Sequence, residues 1–381
     1  MKTILVTGAD GFMGRNLCVA LRRQPGCEPI EFDVRQTLEE LPALASRADL
    51  VFHLAGVNRP KEEREFAEGN ARLTRRLCDS LLAAGRKTPL VLSSSAQVEL
   101  DNPYGRSKKA AEDAVLDYHR RSGAPVHIYR FPNVFGKWSR PNYNTVVATF
   151  CYNVSRGLPV QVSNRATVIR FVHIDDVVRA FLRIASGAAI SAAGSGGDPC
   201  ATHYEVQPVF SITLGELHDL IVSFRDGREQ LLVPDLSNPL TRYLHSTYTS
   251  FLEMDGLSRQ VDLKSDDRGW LFELVKSPHA GQIFVSRTKP GITRGNHYHD
   301  TKIEKFCVIQ GQGVIRFRCV LDSRVIEYPV SDRAISIVDI PPGCTHSVEN
   351  TGTGDMITLF WANEVLDPQR PDVYFEPVRK G

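Results

Sequence analysis

Apolar residues recur along this chain in two patterns, which predict two different kinds of domain. Up to about residue 180, short β-branched runs alternate with longer stretches of helical periodicity. The runs are Thr3 to Thr7, Leu50 to Leu54, Leu90 to Ser94 and Val126 to Arg130. This alternation is typical of a parallel sheet with helices on both faces, so it predicts an α/β, doubly wound first domain.

The second pattern begins near residue 261 and consists of short, closely spaced strands. Gly or Pro separates most of the strand-like runs, which are Gln282 to Arg287, Lys305 to Ile309, Gly313 to Val320, Val325 to Val330, Ile335 to Ile340 and Met356 to Trp361. Strands at this spacing predict a small all-β barrel or sandwich.

Two weaker segments lie between these patterns. Gly, Ala and Ser crowd the segment from Ser186 to Ala201, but helical periodicity resumes in ITLGELHDLIVSF, so we interpret that segment as a loop within the first domain. The stretch from Pro234 to Phe251 contains two prolines and comes just before the change of pattern. We therefore predict a first domain at 1–245, a linker at 246–260 and a second domain at 261–381.

Composition narrows the classes of function. The 381 residues include 46 Lys+Arg and 44 Asp+Glu, and no run of like charges favours nucleic acid or an anionic membrane as a partner. No apolar run could span a bilayer, and the opening segment turns glycine-rich too early for a signal peptide, which predicts a cytoplasmic protein. The eight cysteines form no CxxC pair, which favours reduced and mostly buried thiols.

Three glycines, Gly8, Gly11 and Gly14, stand directly after the strand KTILV and before a helical pattern. In this position they permit a tight turn, a close approach of a diphosphate to the backbone, and close packing at the positive end of a helix. We therefore predict a dinucleotide site in this turn, and we include Phe12 and Met13 in it.

Two side chains after the second strand bear on the choice of cofactor. The carboxylate of Asp33 suits a ribose 2′-hydroxyl, whereas Arg35 could hold a 2′-phosphate. Arg35 favours NADPH, and NADH is the alternative. The HLAG run after the third strand adds Leu54, Ala55 and Gly56 to the predicted cofactor site.

Tyr104 and Lys108 lie four residues apart at the start of a helical pattern, so their side chains share a face. We expect a nearby ammonium group to lower the pKa of the tyrosine, which can then give a proton to a carbonyl oxygen as hydride reaches the carbon. Ser95, at the end of the strand VLSSS, can donate a hydrogen bond to the same oxygen. These three residues are the predicted catalytic set, and Tyr104 and Lys108 also belong to the predicted cofactor site.

The motifs TGADGFMG, HLAG, SSSAQ, YGRSK and RFPNVFG together resemble an extended short-chain dehydrogenase/reductase, the group that handles nucleotide sugars. The resemblance covers about the first 245 residues and implies a Rossmann-type fold. It also implies that Asn133 contacts the diphosphate of a sugar nucleotide, although an asparagine that caps a loop is an equally plain interpretation. Ser95 and Tyr104 are closer in sequence than is common in that group, so we expect a trimmed loop and an altered substrate pocket.

A second set of chemically active residues begins with His297 and His299, which can face the same side of a strand, and continues with Glu304 and His346. Three imidazoles and a carboxylate suit zinc or another divalent transition metal, with coordination positions left for a ligand. The two halves of this set resemble the paired motifs of the cupin family. Ile335, where the second motif usually opens with glycine, is the one departure.

Two further segments, DDRGWLFEL and PGITRGNHYH, resemble the sugar-nucleotide 3,5-epimerases. The resemblance implies that Arg268 faces the diphosphate and Glu273 the sugar or nucleotide, and a structural Arg–Glu pair at the barrel rim is the alternative. In that register His297 would be a catalytic base, whereas the cupin motif places it on the metal. We assign His297 to the metal and leave the base unassigned.

Along essentially its whole length the chain resembles the bifunctional reductase–cupin enzymes of bacterial capsule and O-antigen synthesis. The resemblance implies that the cupin inverts C3 of a UDP-linked 4-keto-6-deoxy-N-acetylhexosamine and that the first domain reduces C4 with NADPH. The product would be UDP-N-acetyl-6-deoxy-L-talose, the precursor of UDP-N-acetyl-L-fucosamine. The protein would then act between an upstream dehydratase/5-epimerase and a downstream 2-epimerase.

Two alternatives remain at this point. One is a reductase that acts on another 4-keto sugar, such as a thymidine-linked one, with the cupin as a binding, isomerase or structural module. The other is a non-enzymatic NADPH sensor whose cupin serves for dimerisation, and the set of Ser95, Tyr104 and Lys108 argues against it because sensing needs no proton donor. We expect a homodimer, since twofold symmetry is the commonest closed arrangement.

Overall fold

The computed structural model describes residues 1–188, 201–258, 260–369 and 371–380. Most of the predicted loop from Ser186 to Ala201, including Cys200, lies outside the described residues. By its packing the chain forms two compact units, Met1–Ile221 with Tyr243–Leu252, and Val222–Arg242 with Glu253–Gly381. The boundaries at 1–245, 246–260 and 261–381 stay a sequence prediction.

A parallel sheet forms the centre of the first unit. The strands of this unit are β1 (Lys2–Thr7), β2 (Cys27–Phe32), β3 (Leu50–His53), β4 (Leu90–Ser95), β5 (Val126–Phe131), β6 (Asn133–Phe135), β7 (Val168–His173), β8 (Ala201–Tyr204) and β9 (Phe210–Thr213). Six of them form a sheet in the order β2-β1-β3-β4-β5-β8, with parallel pairing throughout. A smaller sheet has the order β6-β7-β9.

Helices cover both faces of the parallel sheet. Helices α1 and α7 cover one face, and α2, α4 and α5 cover the other. The helices of the residues that the structure describes are α1 (Phe12–Arg22), α2 (Leu41–Arg47), α3 (Arg64–Phe66), α4 (Leu73–Ala83), α5 (Pro103–Ser122), α6 (Val146–Ser155), α7 (Ile174–Ala185), α8 (Leu214–Glu229) and α9 (Pro239–Thr249). Alternate residues of β1 enter two separate cores: Ile4 packs with Phe181 of α7, and Leu5 packs with Leu77 of α4. Two cores on opposite faces confirm the predicted doubly wound domain.

The strand order predicts a ligand-binding crevice at the carboxyl ends of β1 and its neighbouring strands. Both β2 and β3 pair with β1, so the chain changes winding direction around β1. In sheets of this kind, ligands bind at the carboxyl ends of the strands on either side of such a point. The residues after β1 and after β3 are the glycine turn and the HLAG run of the predicted cofactor site.

The second unit is built from antiparallel strands. They are β10 (Lys264–Asp266), β11 (Gly269–Ser277), β12 (Gly281–Thr288), β13 (Thr293–Tyr298), β14 (Glu304–Gln310), β15 (Gln312–Cys319), β16 (Ile326–Ser331), β17 (Ile337–Ile340), β18 (Cys344–Asn350), β19 (Met356–Ala362) and β20 (Tyr374–Phe375). They form two sheets, β10-β11-β12-β19-β14-β17 and β16-β15-β18-β13-β20. The predicted β domain is confirmed, and its closure into a barrel stays a prediction.

Alternate residues of the second unit's strands form one apolar core, which includes Phe306 and Val308 of β14, Ile315 of β15, Val348 of β18 and Phe360 of β19. The polar residues Glu304 and His346 are buried on the same strands. A polar site is therefore built into strands whose positions the apolar core fixes.

Two smaller findings concern the whole chain. Among the described residues, none of the helices combines the length and the apolar character that crossing a membrane requires. The seven described cysteines all carry free thiols. Burial of these thiols is the rule in the first unit, whereas Cys319 in the second unit is exposed, so the prediction of mostly buried cysteines is only partly right.

Candidate active sites

The glycine turn after β1 leaves no room for side chains. Gly8 has a φ of +71°, and a Cβ atom there would lie 2.6 Å from the backbone nitrogen of Ala55. A Cβ atom on Gly14 would lie 2.1 Å from the carbonyl oxygen of Gly8. The turn therefore packs directly against the HLAG run and ends at the N-terminus of α1, where backbone N–H groups and the helix dipole favour an anion. A dinucleotide diphosphate fits this geometry.

Asp33 and Arg35, the side chains that bear on the choice of cofactor, form hydrogen bonds within the protein. The Asp33 carboxylate accepts hydrogen bonds from the backbone nitrogens of Asp10 (2.7 Å) and Val34 (2.8 Å). Arg35 donates through both Nε (2.9 Å) and Nη2 (2.5 Å) to the Asp10 carboxylate, and 70% of its side chain is exposed. Exposed ion pairs contribute little free energy, so Arg35 can exchange this partner for a phosphate at small cost.

Ser95, Tyr104 and Lys108 line one cleft of about 840 Å³ in the first unit. Ser95 ends β4, while Tyr104 and Lys108 lie one turn apart near the start of α5. The Asn102 side chain caps α5 by accepting a hydrogen bond from the Gly105 nitrogen at 2.7 Å. Lys108 is held in the cleft by donating to the Ser93 carbonyl at 2.9 Å.

The same cleft collects five of the other eleven residues predicted for the first domain, and Gly8, Gly11, Gly14, Asp33, Arg35 and Ala55 are not in its lining. Its lining includes the predicted residues Phe12, Met13, Leu54, Gly56 and Asn133. Asn133 donates from Nδ2 to the Arg170 carbonyl at 3.1 Å. The structure therefore places Asn133 at the cleft and also gives it the local hydrogen bond of the plainer interpretation.

The electrostatics of the catalytic set differ from the sequence prediction. Burial raises the pKa of Tyr104, and a hydrogen bond with Ser95 lowers it by less, so the pKa lies above its usual value. The prediction that an ammonium group lowers this pKa is therefore wrong for the protein without cofactor. Burial lowers the pKa of Lys108 to about 8, while the charge of Glu112 acts in the opposite direction. A protonated tyrosine is the form that a proton donor needs.

Glu112 forms a buried charged network beside this set. It is fully buried and one turn beyond Lys108 on α5. Its carboxylate accepts hydrogen bonds from Ser94 Oγ (2.6 Å) and from Arg130 Nε (3.0 Å) and Nη2 (2.7 Å). Burial raises the pKa of Glu112, but these hydrogen bonds outweigh it and leave the pKa lowered, so a negative charge persists next to Lys108.

Asn70 is a cleft-shaping residue that sequence reasoning missed. It lies in a π-helical segment, Ala67–Arg72, between α3 and α4, and only 1% of it is exposed. Its Oδ1 accepts from the Val57 nitrogen (2.8 Å), and its Nδ2 donates to the Val57 carbonyl (2.9 Å) and to Ser107 Oγ (2.9 Å). Asn70 thereby fixes the cleft residue Val57 against α5. A lone asparagine in a helical run gives no sequence signal for this role.

The second unit brings together the four predicted metal ligands. His297, His299, Glu304 and His346 each offer one ligand atom, and these atoms all lie within 4.8 Å of one another. The Nε2 atoms of His299 and His346 both lie 3.2 Å from the same carboxylate oxygen of Glu304. His346 Nε2 is buried and makes no hydrogen bond of good geometry. An inward nitrogen without a hydrogen-bond partner is expected of an atom that is oriented for a metal.

Outer hydrogen bonds orient two of these imidazoles. His299 Nδ1 lies 2.5 Å from the Asp372 carbonyl oxygen, and His346 Nδ1 lies 3.3 Å from the Cys344 carbonyl oxygen. An Nδ1–H that donates to a carbonyl leaves Nε2 with a free lone pair, which is the tautomer a metal requires.

The protonation states of His297 and Glu304 also favour the binding of a cation. Burial, with the two neighbouring histidines, lowers the pKa of His297 to about 4. For Glu304, burial raises the pKa, but the close approach of the His299 and His346 rings outweighs burial and lowers the pKa to about 2. Burial lowers the pKa of His299, but its contacts with Glu304 and the Asp372 carbonyl outweigh burial and raise it, so a bound metal would compete with a proton at this ring. The neutral His297 and the ionised Glu304 are forms that bind a divalent transition metal.

Arg268 and Glu273, the two predicted substrate residues of the second unit, form ion pairs with different partners. Arg268 donates to the Asp266 carboxylate from Nε (3.0 Å) and Nη2 (2.5 Å). Glu273 accepts from Lys276 Nζ at 3.1 Å. These partners do not support the alternative of a structural pair between Arg268 and Glu273, and the roles at the diphosphate and the sugar stay predictions.

The fold and the two sites thus define a protein with a dinucleotide-type α/β domain and a β domain that carries a cluster of candidate metal ligands. Residues 4–193 match the NAD dependent epimerase/dehydratase family, and residues 264–374 match the polysaccharide biosynthesis C-terminal domain.

Individual relatives extend over the whole chain. A UDP-2-acetamido-2,6-beta-L-arabino-hexul-4-ose reductase from Pseudomonas aeruginosa is 44% identical over 99% of both chains. The crystal structure of the capsular polysaccharide assembling protein CapF from Staphylococcus aureus is 43% identical, with a TM-score of 0.89 over 98% of this chain and 100% of that one. MoeE5 in complex with UDP-glucose and NAD is 25% identical, with a TM-score of 0.50 over 58% of this chain and 81% of its own.

The chain belongs to the family of capsular polysaccharide biosynthesis enzymes that join an epimerase/dehydratase domain to a polysaccharide biosynthesis C-terminal domain.

Proposed function

We propose that the protein is a bifunctional nucleotide-sugar enzyme. Its second unit inverts C3 of a UDP-2-acetamido-2,6-dideoxy-4-ketohexose, and its first unit reduces the C4 ketone with NADPH. The product is UDP-N-acetyl-6-deoxy-L-talose, the precursor of UDP-N-acetyl-L-fucosamine. The observation that carries the proposal is the convergence of Ser95, Tyr104 and Lys108 in one cleft beside the glycine turn, in a chain that is 44% identical over its length to a reductase of a UDP-linked hexulose.

The cleft residues supply binding and proton transfer for the reduction. Bound NADPH would supply hydride to C4, and the glycine turn would hold its diphosphate at the start of α1. Tyr104 gives its phenolic proton to the C4 oxygen, so the ketone becomes an alcohol and charge balances. Ser95 donates a hydrogen bond to the same oxygen. Lys108 stands beside them as an ammonium group at neutral pH, since its pKa of about 8 lies above that range.

The proposed preference for NADPH depends on Arg35. The guanidinium lies at the end of β2, is largely exposed, and is bound to Asp10 by an exchangeable ion pair. A 2′-phosphate would replace the Asp10 carboxylate and gain charge-assisted, bidentate hydrogen bonds. NADH remains the alternative cofactor, and the relative MoeE5 is described with NAD.

The second unit is proposed to be a cupin barrel whose metal-type cluster is the epimerisation site. The two antiparallel sheets and the four-residue donor set support this assignment. A 4-keto group makes the C3 proton acidic, so the proton can leave one face and return to the other. A metal held by His297, His299, Glu304 and His346 would supply positive charge that stabilises the developing oxyanion. Arg268 and Glu273 are proposed to hold the substrate.

The direct test is proton NMR in deuterated water with UDP-linked 4-keto-6-deoxy-N-acetylhexosamine, before and after NADPH is added. We expect deuterium to enter at C3 without NADPH, and the reduced 6-deoxy-talose to form once NADPH is present. The thymidine-linked 4-keto sugar is the control substrate. Absence of both exchange and NADPH oxidation with the UDP-linked sugar, together with turnover of the thymidine-linked one, would reject the proposed substrate.

A further inference from the structure

The residues 372–378 run alongside β13, the strand that carries the proposed metal ligand His297 and ends one residue before His299. We call these residues the strap. Its residues Tyr374 and Phe375 form β20, and Phe375 pairs directly with His297. The strap is more than seventy residues from β13 in sequence, so its place is set by tertiary contacts. These contacts occur near His297 on β13 and near His299 just after it.

The first contact lies at Asp372 and holds the turn after His299. The Asp372 carboxylate accepts hydrogen bonds from three successive backbone nitrogens, those of Asp300 (2.9 Å), Thr301 (3.0 Å) and Lys302 (3.0 Å). The Asp372 carbonyl oxygen lies 2.5 Å from His299 Nδ1. One residue of the strap therefore fixes both the ring of His299 and the backbone that follows it.

The second contact lies at the other end of the strap and holds a bulge before His297. The pairing of β13 with β18 shifts register between Gly295 and His297, and Asn296 at this point has a φ of +60°. Two strap nitrogens donate to Asn296: Glu376 N to its carbonyl (2.9 Å) and Val378 N to its Oδ1 (3.2 Å). A bulge re-aims the side chain that follows it, so the strap stabilises the backbone shape that directs His297.

Arg318 of β15 holds the strap in this position by hydrogen bonds. It is 1% exposed, although it is charged. Three of its hydrogen bonds go to the strap: Nε to the Val378 carbonyl (2.9 Å), and Nη2 to the Pro377 carbonyl (2.9 Å) and the Glu376 carboxylate (2.8 Å). Its Nη1 donates to the carbonyls of Cys319 (3.2 Å) and Asp322 (3.0 Å). All the donors of a buried guanidinium are thus used, mostly to hold one segment.

We infer that the strap is a positioning element of the metal site, and that Arg318 and Asp372 set the affinity of His297, His299, Glu304 and His346 for a divalent transition metal. The inference rests on the metal site of the proposed function. Residues that orient metal ligands typically contribute about 10- to 100-fold to metal affinity. Neither Arg318 nor the Asp372 carboxylate touches the donor atoms, so their effect is exerted through the strap.

The test measures zinc affinity of the full chain after removal of metal with EDTA, by competition with a chromophoric chelator. We expect about 10- to 100-fold weaker binding for Asp372→Ala and for Arg318→Met, and a smaller loss for Asp372→Asn, which keeps one acceptor oxygen. Asp367→Ala is the matched control, because this exposed carboxylate accepts from the nearby Gln369 nitrogen and lies outside the strap. The control should bind zinc as the unaltered protein does.

Cobalt spectra and thermal unfolding separate ligand orientation from folding. We expect the cobalt d–d bands of Asp372→Ala to shift, and its metal-free unfolding transition to stay cooperative. If Arg318→Met does not fold, Asp372→Ala alone decides. Unaltered zinc affinity in folded Asp372→Ala would overturn the inference. Failure of the unaltered protein to bind zinc or cobalt would also overturn it, and NADPH oxidation with the 4-keto sugar, measured in parallel, shows whether the reductase proposal still stands.

Discussion

At the scale of single residues, the glycine turn offers the sharpest test of the cofactor site. Gly8 and Gly85 both have positive φ, +71° and +67°, but only a Cβ atom on Gly8 would meet other atoms within 4 Å. Both Gly→Ala changes incur the left-handed backbone cost of about 1–2 kcal/mol. We expect Gly8→Ala to lose about 1–3 kcal/mol more in the free energy of unfolding, because the backbone of Ala55 must move.

Measurement of this pair needs urea unfolding and a fluorescence titration with NADPH. Gly8→Ala should weaken NADPH binding, whereas Gly85→Ala should leave it unchanged. Equal losses of stability in the two variants, with NADPH binding intact in both, would show that the turn neither packs against the HLAG run nor holds the cofactor.

Arg35 is the residue on which the proposed preference for NADPH depends. Removal of charge-assisted hydrogen bonds to a phosphate typically costs about 1.5–3 kcal/mol. We therefore expect Arg35→Ala to lower kcat/KM for NADPH about 10- to 100-fold and to leave kcat/KM for NADH unchanged. Arg22→Ala is a suitable control, since Arg22 is another exposed arginine, paired with Glu31 in the same unit. Equal decreases for both cofactors in Arg35→Ala would contradict the preference.

How far single residues can be predicted depends on how local their signal is. Gly8 and Gly14 are visible because the turn needs glycines at fixed spacing, and Tyr104 with Lys108 because they are one helical turn apart. Asn70 gives no such signal, since its role arises from a π-helical segment. The raised pKa of Tyr104 cannot be predicted from the sequence either, because it depends on burial, which spacing does not reveal.

At the scale of elements, α5 presents Lys108 and Glu112 on one face, one turn apart. The negative charge of Glu112 raises the pKa of Lys108, which burial lowers to about 8. Lys108 loses its proton as pH rises through this value, so we expect kcat/KM for reduction to fall above about pH 8. In Glu112→Gln the lysine is deprotonated more easily, and the decrease should begin at lower pH.

The control for this pH profile lies one residue further along the helix. Asp113 is exposed and pairs with Lys109, so Asp113→Asn removes a carboxylate from α5 without touching the cleft. Its pH profile should match that of the unaltered protein. A Glu112→Gln variant that folds and keeps the same high-pH limb would show that Lys108 does not govern this limb.

Elements rich in β-branched residues were predictable to within a residue or two. The run Leu90 to Ser94 became β4 and the run Met356 to Trp361 became β19, because each is buried and strongly apolar. Other elements lie outside the predicted runs. The strand β13 is mostly polar, and only the spacing of His297 and His299 indicates it. The helix α9 starts at a proline, which favours a first helical turn as readily as it indicates a linker.

At the scale of the whole molecule, the two sites should be separable by mutation. We expect Tyr104→Phe to lower the rate of C4 reduction by about 10²- to 10⁴-fold, because it removes the proton donor, and to leave C3 exchange intact. His299→Ala should abolish C3 exchange and spare reduction of substrate that is already epimerised. Deuterium incorporation and NADPH oxidation are the two measurements. Loss of both activities in either variant would contradict two independent sites.

The division of the chain has a consequence for inheritance. The polypeptide changes unit three times, after Ile221, Arg242 and Leu252. The segment Val222–Arg242 belongs with the second unit, where Val233 N donates to the Lys276 carbonyl and Lys276 N donates to the Leu231 carbonyl, each at 2.7 Å. A gene recombined at any single breakpoint near residue 245 would separate these partners. The two units should therefore descend together as one gene rather than be exchanged half by half.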